Sequence, residues 1–329
     1  RPELVDKPVA VGGHADRRGV ISTCNYIARE YGVHSAMATA LALKKCPDLI
    51  LIFPNFEKYK TASLAIHHIF ESYTSLIEPL SIDEAFLDVS NCEQCQGSAT
   101  LIAQEIRDRI RKEIAITASA GIAPNKFLAK IASDWNKPDG QFVITPDQVT
   151  DFMPPLPIEK IFGVGPATAE RMHKLNIRTC GDIHKWSKVD LATQFGKLGQ
   201  RLFELSRGID DRPVITEWER KSLSVEYTFA TDLPDLDACL KEVPSLYERF
   251  SARFEKHEPT LPQRSTFVKI KFYDFTQTTL ERSYLEPNLD NFLELVGDAY
   301  SRGLKPVRLL GLGVHFDQPK SNDQLKLFD

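Results

Sequence analysis

Two adjacent carboxylates, Asp83 and Glu84, lie inside an otherwise largely apolar stretch, residues 79–89. Acidic side chains in such a stretch are usually paired, solvated or bound to a metal ion. Neighbouring side chains of a flat strand point to opposite faces, so both carboxylates can serve one site only if the chain turns at residues 81–84. The stretch therefore predicts a β-hairpin whose turn carries both acids.

The chemistry that this acid pair indicates is metal-assisted phosphoryl transfer. Mg²⁺ prefers oxygen ligands and commonly takes one or two carboxylates together with phosphate oxygens. The structural alternative is a solvated hairpin tip without a ligand. An isolated Asp-Glu pair does not separate these two interpretations, so the surrounding sequence has to do so.

Two helices offer groups that suit phosphate. Tyr26 and Arg29 are three residues apart and share one face of a helix predicted over 25–31. The guanidinium fork of arginine matches phosphate oxygens, and the tyrosine hydroxyl is a further donor. Lys126 and Lys130 lie one turn apart on a later helix and offer two ammonium groups to a polyphosphate. Solvated helix faces remain the alternative for both pairs.

A Gly-x-Gly turn at Gly163 and Gly165 precedes a proline that suits the first position of a helix. Such a turn lets backbone amides at the helix start approach an anion without reading a base. Lys160 and Arg171 flank it with positive charge. This spacing resembles the helix-hairpin-helix clamp for the DNA backbone, with a plain turn between helices as the alternative. Residues 195–199 form a weaker relative of the turn.

The composition is that of a multidomain globular protein. The chain has 329 residues, 42% of them hydrophobic and 26% charged, and a net charge of −4. It contains no apolar run of the ~18 residues that a membrane span needs. Its six cysteines are scattered, which indicates reduced thiols rather than a disulfide framework. The overall charge argues against nucleic-acid binding, but residues 160–221 contain 12 basic and 8 acidic side chains.

Hydrophobic periodicity and turn residues predict an α+β chain in four blocks. The first block has strands at 8–13 and 19–23 and helices at 25–31 and 39–45. The second has a helix at 59–75 with Leu64, Ile69 and Phe70 inside, the hairpin, helices at 98–113 and 125–134, and strands at 116–122 and 141–144. The third is helical, and the fourth is a βαββαβ module with strands at 223–229, 266–274, 277–284 and 308–316 and helices at 236–254 and 289–300.

The order of these features resembles the Y-family translesion DNA polymerases. The matching segments are residues 19–29, 81–89, 126–134, 136–141 and 163–165. The resemblance implies an α+β right-hand polymerase with a ferredoxin-like palm. Its parts are fingers at 1–57, palm at 58–146, a helical helix-hairpin-helix thumb at 147–210, a linker at 211–221, a βαββαβ little finger at 222–317 and a tail at 318–329.

The resemblance also implies template-directed DNA synthesis past lesions, with low fidelity and no proofreading, by a monomer in the bacterial cytoplasm near the nucleoid. Its substrates are primer-template DNA and a deoxynucleoside triphosphate, and its cofactor is a pair of Mg²⁺ ions. The implied roles are metal ligation by Asp83 and Glu84, triphosphate binding by Ser22, Thr23, Tyr26, Arg29 and Lys130, and DNA backbone binding by Gly163, Gly165, Lys160 and Arg171.

The family's first palm strand carries another metal-binding aspartate and an aromatic residue that excludes ribonucleotides. Neither is present in this sequence, which begins at Arg1. We therefore expect a protein that ends physically at Arg1 to bind primer-template DNA but to polymerise very poorly, because its cations lack one carboxylate.

The last residues of the sequence form a short hydrophobic motif that follows a polar linker. They resemble the peptide with which bacterial polymerases bind the ring-shaped sliding clamp. Hydrophobic side chains of such a peptide fill a pocket, and a glutamine amide adds a hydrogen bond. The residues concerned are Gln324, Leu325, Leu327 and Phe328.

Two other functions remain open at this stage. A non-catalytic DNA-binding protein would use the Gly163/Gly165 turn and the C-terminal module while Asp83 and Glu84 stay solvated. A nucleotidyl cyclase also uses two metal ions on an α+β palm, but it needs neither that turn nor a clamp peptide. Metal-dependent incorporation of nucleotides directed by a template distinguishes the polymerase from both.

Overall fold

The structure is a computed structural model that describes residues 1–256, 262–283 and 285–317. The chain divides into two compact units. One contains residues 1–54 and the C-terminal residues from 219 onward, and the other contains residues 55–218. Among the described residues, none of the helices is long and apolar enough to cross a membrane.

The N-terminal block, residues 1–54, is a three-stranded sheet with two short helices. Strand β1 lies in the middle, antiparallel to β2 and parallel to β3. The Asn25 side chain accepts a hydrogen bond from the Ala28 amide and so starts α1. The elements are β1 (Val9–Gly12), β2 (Ile21–Cys24), α1 (Tyr26–Glu30), α2 (Thr39–Lys45) and β3 (Ile50–Ile52). The sequence predicts all of them except β3.

Residues 55–218 begin with mixed helices and strands and continue as helices. The strands form two separate pairs, antiparallel β4–β5 and parallel β6–β7, where the sequence predicts one sheet. The elements are α3 (Phe56–Glu71), β4 (Ile77–Pro79), β5 (Ala85–Leu87), α4 (Ala99–Arg109), β6 (Ala120–Ile122), α5 (Lys126–Trp135), β7 (Gln141–Val143), α6 (Val149–Phe152), α7 (Pro166–Lys174), α8 (Cys180–Ile183), α9 (Lys188–Phe195) and α10 (Lys197–Leu205).

Helix α3 departs from its prediction in both limits and orientation. It begins three residues early because the Asn55 side chain caps it by accepting from the Lys58 amide. Ile69 is buried as predicted, but Leu64 is 64% exposed, so its predicted inner position is wrong. Five residues of an α-helix turn through about 140° beyond a full circle, which places these two side chains on different faces.

Helix α5 is held tightly against the β6–β7 pair. Its inner face buries Phe127, Leu128 and Ile131. Gly121 of β6 faces the helix, and a Cβ atom there would lie 2.0 Å from the Ala129 carbonyl oxygen. The glycine therefore permits a backbone-to-backbone approach that any side chain would prevent, and this approach fixes the helix that carries Lys130.

The C-terminal module has the predicted βαββαβ order. Its sheet runs β10-β9-β11-β8 with every neighbouring pair antiparallel, and both helices share one core with it. Phe267, Lys269 and Lys271 alternate with the core residues of β9 and therefore face away from that core. The elements are β8 (Ser222–Leu233), α11 (Leu236–Glu255), β9 (Gln263–Phe272), β10 (Gln277–Ser283), α12 (Leu289–Ser301) and β11 (Val307–Phe316).

Candidate active site

The acid pair lies at the tip of a β-hairpin, as predicted. Strands β4 and β5 pair antiparallel, and the Leu80 amide donates to the Glu84 carbonyl oxygen at 2.9 Å to close the turn. The Ser81 hydroxyl donates to the Asp83 carboxylate and accepts from the Asp83 amide at 3.3 Å. The turn thus presents an exposed Asp83 next to a partly exposed Glu84.

Lys130 reaches the same hairpin from α5. Its Nζ lies 2.6 Å from Glu84 Oε1, and the two side chains are 21% and 40% exposed. This contact brings together three side chains that the sequence predicts for one site. The contact is an ion pair in which the Lys130 ammonium donates to the Glu84 carboxylate.

Lys126 does not lie where the sequence predicts it. Only 6% of it is exposed, and its Nζ donates to Glu78 Oε2 at 2.6 Å and to the Pro213 carbonyl oxygen at 2.7 Å. The prediction that this ammonium meets a polyphosphate is therefore wrong. Its partner Glu78 lies five residues before Asp83 and 48 residues from Lys126, so no spacing in the sequence indicates the contact.

The donor set suits a hard divalent cation that is shared with a phosphate. Asp83 and Glu84 supply two carboxylates, and Mg²⁺ in phosphoryl-transfer sites usually takes one or two and keeps several waters. In the described part of the chain, no three His, Cys, Asp or Glu side chains are grouped so that they could hold a metal ion. The two acids therefore fit Mg²⁺ in ligand type, with the remaining ligands to come from outside this group.

The predicted residues of the N-terminal block are all exposed and lie on β2 and α1. Ser22 and Thr23 are exposed on β2, and Tyr26 and Arg29 are exposed on α1. The Arg29 guanidinium lies 5.8 Å from the centre of the Tyr26 ring. Asn25 also accepts from the Val9 amide and donates to the Lys7 carbonyl, which fixes the start of α1 against β1.

The Gly-x-Gly turn has the geometry that its sequence predicts. Gly163 has φ +99°, in the left-handed region that favours glycine, and Gly165 is the residue before α7. A Cβ atom at either glycine would meet nothing within 4 Å, so the backbone here faces open space. The exposed Lys160 and Arg171 flank the turn.

The weaker second turn, residues 195–199, lies beside one of the basic residues that flank the first. Gly196 has φ +61° and separates α9 from α10. The Arg171 guanidinium stands 5.1 Å from the centre of the Phe195 ring, at the end of α9. The basic residue that flanks the first turn therefore stands next to the start of the second.

The predicted clamp-binding residues lie outside the described residues.

The six cysteines, all within the described part, are free thiols. Cys95 lies beside Glu105, and the hydrogen bond between them raises the pKa of this thiol to about 11.

Three family models match successive parts of the chain. The impB/mucB/samB family matches residues 1–134, a thumb domain described for DNA polymerase-iota matches 159–210, and the impB/mucB/samB family C-terminal domain matches 220–327. The chain is 56% identical to DNA polymerase IV of Pseudomonas syringae pv. tomato over 328 residues, which is 99% of this chain and 93% of that protein. The chain belongs to the Y-family DNA polymerases.

Solved structures of the family agree. A Y-family DNA polymerase chimera, Dbh-Dpo4-Dbh, matches with a TM-score of 0.85 at 27% identity, covering 96% of this chain and 93% of the other. An insertion ternary complex of Dbh DNA polymerase matches with a TM-score of 0.65 at 27% identity and the same coverage. The predicted family, its fold class and its enzyme class, a DNA-directed DNA polymerase, are confirmed. The predicted domain limits and residue roles stay predictions.

Proposed function

We propose that this chain adds nucleotides to a primer under the direction of a template, including across damaged bases, with Asp83 and Glu84 as its metal ligands. The observation that carries the proposal is the hairpin tip, where two carboxylates stand beside Lys130 in a chain of the Y-family. A solvated hairpin tip with a surface ion pair would also give this geometry; the family of the chain favours the metal site.

The residues of the site have two proposed roles: the carboxylates bind cations, and the other side chains bind the phosphates of the nucleotide. Two Mg²⁺ ions bound by the carboxylates would lower the pKa of the primer 3′-hydroxyl and stabilise charge on the triphosphate and its leaving pyrophosphate. Lys130 is proposed to bind the phosphates of the incoming nucleotide, because an ammonium aimed at developing charge stabilises the transition state. Tyr26 and Arg29, with Ser22 and Thr23, are proposed as further donors to the triphosphate.

DNA binding is proposed for the surface at the two glycine turns. The open backbone at Gly163 and Gly165 suits a phosphate oxygen, and Lys160 and Arg171 add positive charge. Such contacts position a duplex without reading its sequence, which suits an enzyme that copies any template. The Dbh relative has been solved as an insertion ternary complex. We propose primer-template DNA and a deoxynucleoside triphosphate as partners of a monomer in the bacterial cytoplasm, at the nucleoid, with no proofreading.

Primer extension with Mg²⁺ and all four deoxynucleotides tests this function. Two proteins are compared: a form extended at its N-terminus with the first palm strand that the family resemblance implies, and the Asp83→Ala/Glu84→Ala variant of that form. We expect the extended form to lengthen the primer and its Asp83→Ala/Glu84→Ala variant to do so very poorly. Tight primer-template binding without extension by the extended form would contradict the polymerase and support a non-catalytic DNA-binding protein.

A sliding clamp is proposed as a further partner through Gln324, Leu325, Leu327 and Phe328. Deleting residues 324–329 from the extended form is expected to abolish the stimulation of synthesis by the clamp and to leave unstimulated synthesis unchanged. Equal stimulation of the deleted and complete proteins, measured as extension with and without clamp, would refute this interaction.

A further inference from the structure

A buried ion pair lies one helical turn from the proposed phosphate-binding lysine. Lys126 and Lys130 are four residues apart on α5, so they face the β4–β5 hairpin together. Lys130 pairs with Glu84 at the exposed hairpin tip, whereas Lys126 pairs with Glu78 of β4 in the interior. The hairpin and the helix are therefore joined by two parallel Lys–Glu contacts, one partly exposed and one largely buried.

The buried contact also holds the connection that follows α10. Glu78 Oε2 accepts from the Ile215 amide at 2.8 Å, and Lys126 Nζ donates to the Pro213 carbonyl oxygen at 2.7 Å. Burial of Glu78 tends to raise its pKa, but its hydrogen bonds from Lys126 and Ile215 outweigh burial and hold the pKa below its ordinary value. This carboxylate is therefore ionised at neutral pH, as the contact requires.

The first turn of α5 binds the same connection at two more points. The Asn125 side-chain amide donates to the Gly208 carbonyl oxygen at 2.7 Å, and the Phe127 amide donates to Asp210 Oδ2 at 3.1 Å. Residues 208–215 are thus attached at four points to β4, to α5 and to the residue before α5. We call residues 208–215 the anchored segment. It has no helix or strand of its own.

A buried ion pair is a poor way to gain stability. Desolvation of both charges offsets their attraction, and apolar side chains of similar size often stabilise a protein as well or better. The Lys126–Glu78 pair provides something that apolar groups cannot: an acceptor for the Ile215 amide and a donor for the Pro213 carbonyl. Its contacts therefore indicate a positional role.

We propose that Lys126 and Glu78 are positioning residues that fix the anchored segment across β4 and α5, so that the hairpin tip, the start of α5 and the free length of the connection are set together. The link to catalysis rests on the proposed polymerase function. With the segment anchored, six residues, 216–221, remain before β8 begins at Ser222. Their fully extended reach is about 20 Å, against about 45 Å if the chain were free from residue 209.

The decisive variant is the double substitution Glu78→Leu/Lys126→Met. It replaces the charges by apolar side chains of similar size, and the Ile215 amide and Pro213 carbonyl that lose their partners belong to exposed residues and can bond to water. Thermal unfolding is therefore expected to stay close to that of the parent. The single substitution Lys126→Met leaves Glu78 buried without its partner and is expected to lower stability, so it serves only as a comparison. Glu204→Leu/Lys188→Met is the matched control, because it removes an exposed Lys–Glu pair at 2.7 Å and keeps the backbone carbonyl of residue 204, which accepts from the Ile209 amide at 3.1 Å.

Amide hydrogen exchange measures how firmly the anchored segment is held, and it does not depend on enzyme activity. In the double variant, exchange of the Ile215 amide is expected to be at least about tenfold faster, and so is exchange of the Leu80 and Leu128 amides at the hairpin turn and the first turn of α5. The control variant is expected to exchange at the parent rates. Unchanged exchange at Ile215 would overturn the anchoring. Faster exchange at Ile215 alone would overturn its coupling to the hairpin and α5.

Single-nucleotide incorporation then measures how much the loss of the anchoring contacts lowers the rate of catalysis. In the N-terminally extended form, the double variant is expected to lose at least about tenfold in kcat with an unchanged Kd for primer-template DNA, because small displacements of reacting groups are costly. An unchanged kcat together with faster exchange at all three amides would refute the role in positioning the site. If the parent itself fails to incorporate, the proposed function falls, while hydrogen exchange still decides the anchoring and the coupling.

Discussion

Replacing Asp83 by Asn or Glu84 by Gln is expected to reduce nucleotide incorporation by about a thousandfold or more in the N-terminally extended form. An amide keeps the size of the carboxylate but removes the negative charge that holds a divalent cation. Losing several kcal/mol of charge stabilisation in the transition state corresponds to about three powers of ten in rate. The measurement is single-turnover incorporation at saturating Mg²⁺ and nucleotide.

Asp88 provides the matched control on the same hairpin. Its carboxylate follows β5, where it accepts a hydrogen bond from the Ser90 amide at 3.0 Å, and the Ser90 hydroxyl and amide hold its pKa below the ordinary value. Asp88→Asn is expected to incorporate nucleotide at nearly the parent rate. Equal losses in all three variants would show that the hairpin tolerates no amide, and an active Asp83→Asn protein would remove Asp83 from the metal site.

Thermal unfolding shows whether the Asp83→Asn and Glu84→Gln proteins are still folded when they lose activity. Asp83 is exposed, and Glu84 makes a partly exposed pair with Lys130 that contributes at most about 1 kcal/mol. Both proteins are therefore expected to unfold within a few degrees of the parent. A loss of activity in a protein that is still folded can then be assigned to the missing carboxylate.

Features set by neighbouring residues were predictable from the sequence. The hairpin at Asp83 and Glu84 follows from a turn between two β-rich runs. The left-handed residue Gly163 follows from the Gly-x-Gly spacing. The C-terminal module follows from helical and strand periods that alternate in βαββαβ order. In each case the physical cause lies within about a dozen residues of the feature.

Features set by distant residues were not predictable from a single sequence. The Lys126–Glu78 pair joins residues 48 apart in the chain, and the Arg18–Asp232 ion pair joins residues 214 apart. The lysine spacing on α5 is the same for a phosphate-binding helix and for a helix that buries one ammonium. Which of the two is realised depends on Glu78 and on the segment at Pro213, and neither is near Lys126 in sequence.

The pairing of Lys130 with Glu84 changes what its removal should do. A phosphate-binding lysine is expected to assist the nucleotide, but here its ammonium also lies where it repels a cation at the carboxylates. Lys130→Met is therefore expected to have opposite effects on two measurements. Affinity of Asp83 and Glu84 for Mn²⁺, measured by electron paramagnetic resonance without nucleotide, should rise about fivefold, as expected for removing about 1 kcal/mol of repulsion near the surface.

Nucleotide incorporation by the same variant is expected to fall about a hundredfold, because one donor to the developing phosphate charge is lost. Lys185→Met is the control, since Lys185 makes an exposed ion pair with Asp182 on α8, away from the hairpin. It should change neither measurement. Weaker Mn²⁺ binding by Lys130→Met would contradict the repulsion, and unchanged incorporation would contradict phosphate binding. If Lys130→Met binds metal more tightly but incorporates nucleotide more slowly, Lys130 must leave Glu84 for the triphosphate during turnover. Only then does the same ammonium oppose the cation before catalysis and assist the nucleotide during it.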